Sequence, residues 1–140
     1  MYSTNSALKN YRCFISHAWG HNDSYYKLEE MLDKAPRFKW SNHSVPEHDS
    51  LDTATDAELE KELEEQISGT NIVLIISGMY YSHSKWILKE IEIAEDKNKP
   101  IVAIKPRGQK RTPMEIQEKA DELVGWSTSS IVSSIRRHSL

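Results

Sequence analysis

The run Ile72-Val-Leu-Ile-Ile76 is apolar at every position. A strand with one wet face alternates apolar and polar residues, so an unbroken run reads as a strand covered on both faces. Pro100-Ile-Val-Ala-Ile104 repeats the pattern further along the chain. Such strands belong to parallel sheets with helices on either side, and the rest of the chain has to supply those helices.

It does so in regular alternation. Tyr11-Arg-Cys-Phe-Ile-Ser16 reads as the first strand. Asn22 or Asp23 caps a helix that gathers Tyr25, Leu28, Met31 and Leu32 on one face, and Pro36 closes the region. Phe38-Lys-Trp40 is a short second strand, followed by a loop over 42–55 rich in His, Ser and Asp. Thr55-Asp-Ala-Glu58 is a capping-box pattern opening a helix with Leu59, Leu63 and Ile67 turned inward. The glutamates at 58, 60, 62, 64 and 65 form its solvated face. After the central strand, Ser82 or Ser84 caps a helix carrying Trp86 and Glu90. Thr112-Pro-Met-Glu115 joins a capping box to proline at the first helical position. Val124-Gly-Trp126 reads as a short edge strand, and Ser129 or Ser130 caps a last helix through Ile131, Val132 and Ile135. Strand and helix thus alternate five times. The expected fold is α/β: a flavodoxin-like, doubly wound, five-stranded parallel sheet of order 2-1-3-4-5 with helices on both faces. At 140 residues the chain suits one domain over 10–140, preceded by a short segment, 1–9.

Composition excludes several classes. The chain is 38% hydrophobic and 28% charged, and no apolar run approaches the ~18 residues of a spanning helix. Met1-Tyr-Ser-Thr-Asn-Ser lacks the basic start and apolar core of a signal peptide. A single cysteine, Cys13, rules out an internal disulfide and reads as a small buried hydrophobe. A cytoplasmic protein without a membrane partner is expected. The net charge of -3 offers no broad attraction for nucleic acid, which is not expected as a partner.

In a 2-1-3-4-5 sheet, ligands bind at the carboxyl ends of strands one and three, where the winding direction switches. Strand one delivers Ser16, His17 and Trp19 to that edge, strand two Asn42, and strand three Ser77, Tyr80 and Tyr81. Strand four delivers Lys105, the first of four cations in Lys105-Pro-Arg-Gly-Gln-Lys-Arg111. That run reads either as a solvated loop or as a phosphate contact. Trp86 and Glu90, four residues apart, share a helix face and point back toward the loop. Aromatic faces, small hydroxyls and one carboxylate make a pocket suited to a nucleotide or sugar. Glu90 also has a plainer reading as a solvated helix glutamate, and Trp86 as a core aromatic. Neither a Gly-x-Gly-x-x-Gly fingerprint nor a Walker-type loop is present. His17 and His21 straddle a loop without cysteine partners, so no metal site is expected and His17 reads as a hydrogen-bonding wall group. A Ser16, His17, Asp49 triad fails for want of a Gly-x-Ser-x-Gly elbow.

Several of these segments together resemble a known family. Phe14-Ile-Ser-His17, Asn71-Ile-Val-Leu-Ile-Ile-Ser77, Tyr81, Ser84-Lys-Trp86, Glu90-Ile91 and Lys99-Pro-Ile101 are similar to bacterial TIR (Toll/interleukin-1 receptor) domains. The Trp-x-x-x-Glu pair is the most specific element, and the resemblance spans about residues 10 to 137. Ser44-Val-Pro-Glu-His-Asp49, Lys105-Pro-Arg-Gly108 and Val124-Gly-Trp126 resemble the TIR-like subgroup containing the stand-alone TIR proteins of Thoeris anti-phage systems. The resemblance implies an enzyme that cleaves NAD at the nicotinamide–ribose bond, with Glu90 at the catalytic position. NAD would be its substrate, and no separate cofactor is implied. The product would be an ADP-ribose-derived signalling nucleotide that activates a separate effector, with self-assembly on activation. Ser16, His17, Trp19, Asn42, Ser77, Tyr80, Tyr81, Trp86 and Lys105 are the candidate substrate-binding residues. The loop after strand two departs from the animal and plant pattern, lacking its Arg-Asp and Gly-rich signature.

Two other functions compete. The same fold serves as a non-catalytic interaction module, which has no need of a pocket carboxylate. A nucleoside deoxyribosyltransferase-like enzyme also uses a glutamate, but on free deoxynucleosides. A response-regulator receiver would need an aspartate where Ser77 stands.

Overall fold

A computed structural model describes residues 8–16, 23–44, 56–77, 84–108 and 112–140. The order along the chain is β1 (Asn10–Ser16), α1 (Asp23–Lys34), β2 (Lys39–Asn42), α2 (Asp56–Ser68), β3 (Ile72–Ile76), α3 (Ser84–Asp96), β4 (Ile101–Lys105), α4 (Met114–Lys119), β5 (Glu122–Gly125) and α5 (Thr128–His138). All five strands pair in parallel in the order β2-β1-β3-β4-β5. Helices α1 and α5 pack together, as do α2 and α3, which gives the sheet its two helical layers.

β3 is buried at all five positions, between β1 on one side and β4 on the other. Leu28 and Leu32 of α1, Leu63 and Ile67 of α2, Ile87 of α3 and Ile131 and Ile135 of α5 complete the core around it. At about 25 cal/mol per Å² of apolar surface removed from water, a fully buried isoleucine or leucine stabilises the fold by roughly 1.5–3 kcal/mol. The central strand therefore contributes more per residue than either edge.

The edges differ in detail from the periodicity. β2 runs to Asn42 rather than ending at Trp40, because edge-strand membership follows backbone pairing, and Ser41 and Asn42 pair with Arg12 and Cys13. Phe38 lies just before the strand, buried and stacked on Tyr11 with ring centroids 5.3 Å apart. β5 starts two residues early, at Glu122, because Asp121 opens the ladder. Its carboxylate accepts from the Ile101 amide at 2.7 Å while its own amide donates to the Ile101 carbonyl at 2.7 Å. Arg137, Ser134 and His138 all donate to one oxygen of Glu122, tying α5 to the start of β5. The Arg137 guanidinium leads in holding that carboxyl down at about 2.

Two helix starts also differ. Ser127, not Ser129 or Ser130, caps α5: its hydroxyl accepts from the Ser130 amide at 3.2 Å. The helix begins at Thr128, so Ser130 is the third helical residue, the one an N-cap hydroxyl reaches. At α4 the capping box does not form. Buried Pro113 occupies the N-cap position, and the Thr112 hydroxyl is buried with no hydrogen-bond partner among the described residues. The Gln117 side-chain amide instead reaches back to the Thr112 carbonyl at 2.7 Å. Of the other candidate caps, Asn22, Thr55 and Ser82 lie outside the described residues, and Asp23 and Ser84 stand inside, each as the first residue of its helix.

Asn71 clamps the opposite end of the sheet. Its side-chain oxygen accepts from the Arg12 amide at 2.9 Å, and its own amide donates to the Arg12 carbonyl at 2.7 Å. Its carbonyl accepts from Leu140 at 3.2 Å. Asn71→Ala strands the Arg12 N–H, so we expect a loss of about 1–3 kcal/mol in urea unfolding with an unchanged m-value.

Candidate functional site

The carboxyl ends of β1 and β3 lie side by side, with Ser16 in register with Ile75. Ser16 and Ser77, the residue following β3, are both completely buried. α3 starts after the next loop and turns Ile87, Glu90, Ile91 and Ala94 toward the sheet. These positions follow the helical spacing of an apolar stripe, and a carboxyl group interrupts it. Glu90 is only 3% exposed. Its neighbours face the other way: Lys89 pairs with Glu60 at 3.7 Å and Glu92 at 3.1 Å, and Lys85 with Asp56 at 2.7 Å.

The Ser16 hydroxyl donates to Glu90 Oε1 across 74 residues of sequence, in a short hydrogen bond. Burial pushes the Glu90 carboxyl up to about 8, and the Ser16 hydroxyl opposes that rise. Such an acid is mostly protonated near neutrality, yet a modest change in surroundings ionises it. That is the condition expected of a group held for chemistry rather than for packing.

The other sequence candidates fall into three groups. Trp86 sits one turn before Glu90, half-buried against the core, with the Lys85 ammonium 5.1 Å from its ring centroid. Lys105 ends β4, next to the end of β3. Asn42 is committed to the fold. Its amide donates to the Tyr25 hydroxyl at 2.8 Å and to Glu29 at 2.9 Å, and its oxygen accepts from the Ser44 amide and hydroxyl at 2.9 and 2.6 Å. Those four bonds use its whole capacity. His17, Trp19, Tyr80 and Tyr81 lie outside the described residues.

Ser44 has a part that the sequence pattern did not signal. Its hydroxyl accepts from the Ile15 amide at 2.9 Å, which continues the β2 pairing past the end of the strand and steadies the residue before Ser16. A side chain standing in for a strand's backbone leaves no periodic trace. Among the described residues no three His, Cys, Asp or Glu side chains gather to hold a metal ion, and no helix is long and apolar enough to cross a membrane.

The family model for the Thoeris protein ThsB, TIR-like domain, matches residues 14–111, more than half of the chain. The chain belongs to that family. The match begins within β1 and takes in both Ser16 and Glu90. No curated protein matches the chain. This is a Thoeris defence-related TIR protein, and its TIR-like fold is completed by α4, β5 and α5, which lie beyond the matched residues.

A buried carboxyl costs this TIR-like domain stability in a pH-dependent way. Below pH 4.5, the ordinary value, Glu90 is protonated folded or unfolded and carries no penalty. Between 4.5 and about 8 the unfolded chain loses its proton while the folded one keeps it, so stability falls as pH rises. Glu90→Gln removes the titration and keeps an acceptor for Ser16. We expect it to raise Tm by several degrees more at pH 9 than at pH 5 in thermal melts.

Proposed function

We propose that this TIR-like protein cleaves NAD at the nicotinamide–ribose bond and makes an ADP-ribose-derived nucleotide that activates a separate effector in anti-phage defence. One observation carries the reading: a buried carboxyl, Glu90, held by Ser16 at the β1–β3 switch point in a chain of the Thoeris TIR-like family. A solvated interaction surface has no use for such a group, whose burial destabilises the fold that carries it.

The chemistry follows from where charge develops. As the bond from C1′ to the nicotinamide nitrogen breaks, its electron pair leaves with the ring, which becomes neutral. Positive charge then grows on C1′ and the ribose ring oxygen. A carboxylate beside the ribose stabilises that charge, and the apolar stripe of Ile87 and Ile91 lowers the dielectric in which it acts. Water or a nucleophile within the substrate completes the reaction at C1′ and gives up a proton. The cationic nicotinamide ring of bound NAD favours the ionised form of Glu90, so binding itself prepares the carboxylate.

Around this centre, Trp86 with Trp19, Tyr80 and Tyr81 forms the stacking wall in our reading, and His17 contributes a hydrogen bond. Ser77 and Lys105 serve the ribose and pyrophosphate side. Asn42 takes part indirectly, by tying the end of β2 to α1. Self-assembly on activation brings copies together, and the nucleotide links the protein to its effector.

The test compares nucleotides in phage-infected cells expressing wild type or Glu90→Gln, by mass spectrometry. A new ADP-ribose species made by wild type and reduced at least about 100-fold in the variant is expected. Identical profiles from two soluble proteins, under a proven phage trigger, would overturn the reading. In activated protein, kcat/KM should rise with pH and level off above about 8, as the free Glu90 carboxyl ionises. The limb in kcat should fall at lower pH, because bound NAD favours the carboxylate.

A further inference from the structure

We propose that Ser16 is the positioning residue for Glu90, its hydroxyl aiming one carboxyl oxygen and favouring the anion while the other oxygen is left for the ribose of NAD. The inference rests on the NAD-cleavage reading and adds a division of labour within it. Ser16 is paired with β3 opposite Ile75, and on the other side the Ser44 hydroxyl holds the Ile15 amide just before it, so its backbone has little freedom. The residue is fully buried, and a hydroxyl shielded from water must find an acceptor in the protein. That acceptor is Glu90 Oε1, and no other described residue hydrogen-bonds this carboxyl.

Packing alone does not aim the group. Ile87, Ile91 and Ala94 flank Glu90 on α3 with apolar surface, which holds the stem but not the final torsion of the carboxyl. The charged neighbours are occupied elsewhere. On α3, Lys85, Lys89 and Glu92 form exposed ion pairs, and Glu60 and Asp56 of α2 are the partners of those lysines. On β1, Arg12 donates to the Gly69 carbonyl at 2.7 Å near the other end of the strand. β3 carries no titratable residue, and β4 carries only Lys105 at its tip. Burial and the Ser16 hydroxyl are the causes acting on Glu90, and only the hydroxyl favours the anion.

The experiment titrates the Glu90 carboxyl directly, by carbon-13 NMR of the full chain labelled at glutamate carboxyls, with Glu90→Gln assigning the signal. Ser16→Ala should move the midpoint up by about one pH unit, a tenfold change in proton affinity. Ser16→Thr keeps the hydroxyl and should titrate like wild type, so it also controls for a fold disturbed by the alanine. With NAD, Ser16→Ala should lower kcat/KM about tenfold at neutral pH and regain most of it above pH 9, its acidic limb displaced by the same unit. An unmoved carboxyl midpoint in Ser16→Ala overturns the proposal whatever the activity. A moved midpoint with an unmoved kinetic limb overturns the catalytic part of it. If the midpoint moves and no variant turns over NAD, the cleavage reading falls while the coupling of Ser16 to Glu90 stands.

Discussion

Full burial of β3 governs the rest of this molecule. A strand with no wet face needs a helix layer above and another below, and consecutive parallel strands need crossovers long enough to contain those helices. Right-handed crossovers on both sides then force the winding direction to reverse beside β3. The reversal sets the ends of β1 and β3 side by side. The site is a consequence of how the core is covered.

Into that gap the fold brings a group that weakens it. Position 90 belongs by spacing to the stripe of Ile87, Ile91 and Ala94, and an apolar residue there would extend the core. A carboxyl in its place is pushed up to about 8 by burial and has only the Ser16 hydroxyl to offset the loss of water. The rest of the core is apolar enough to carry the cost. Other polar groups sit where they stabilise: Asn71 and Asp121 at the starts of strands, Asn42 and Ser44 at the end of β2, and Ser127 at the N-terminus of α5. Among the described residues Glu90 is the one buried carboxyl, and it lies at the switch point.

Reading the chain residue by residue recovered most of this. Runs such as Ile72–Ile76 and the stripe of Leu59, Leu63 and Ile67 are repetitive signals, and the sheet order followed from their alternation. The TIR-like Thoeris family was legible from short segments, of which Trp86 with Glu90 was the most specific. Local starts and ends were harder. Thr112-Pro-Met-Glu115 has the letters of a capping box, but Pro113 itself occupies the cap, and the hydroxyl run Ser127-Thr-Ser-Ser130 before Ile131 left the choice of cap to three-dimensional position. Asn42 was legible as a residue at a strand end, whereas its bonds to Tyr25 and Glu29 depend on where α1 comes to rest.

Order of elements, burial of the central strand and the helix face shared by Trp86 and Glu90 are properties of neighbours in sequence, so periodicity alone was enough to determine them. The side on which Glu90 is spent could not be read that way. Lys89, Glu90 and Glu92 look alike on paper, and only the packing of α3 against the sheet turns one of them inward and leaves its companions in water. The meeting of Ser16 with Glu90 spans 74 residues and needs β1 beside β3 before it can exist. Desolvation is the physical reason: the shift of that carboxyl comes from water removed by distant segments, and tertiary structure alone removes it.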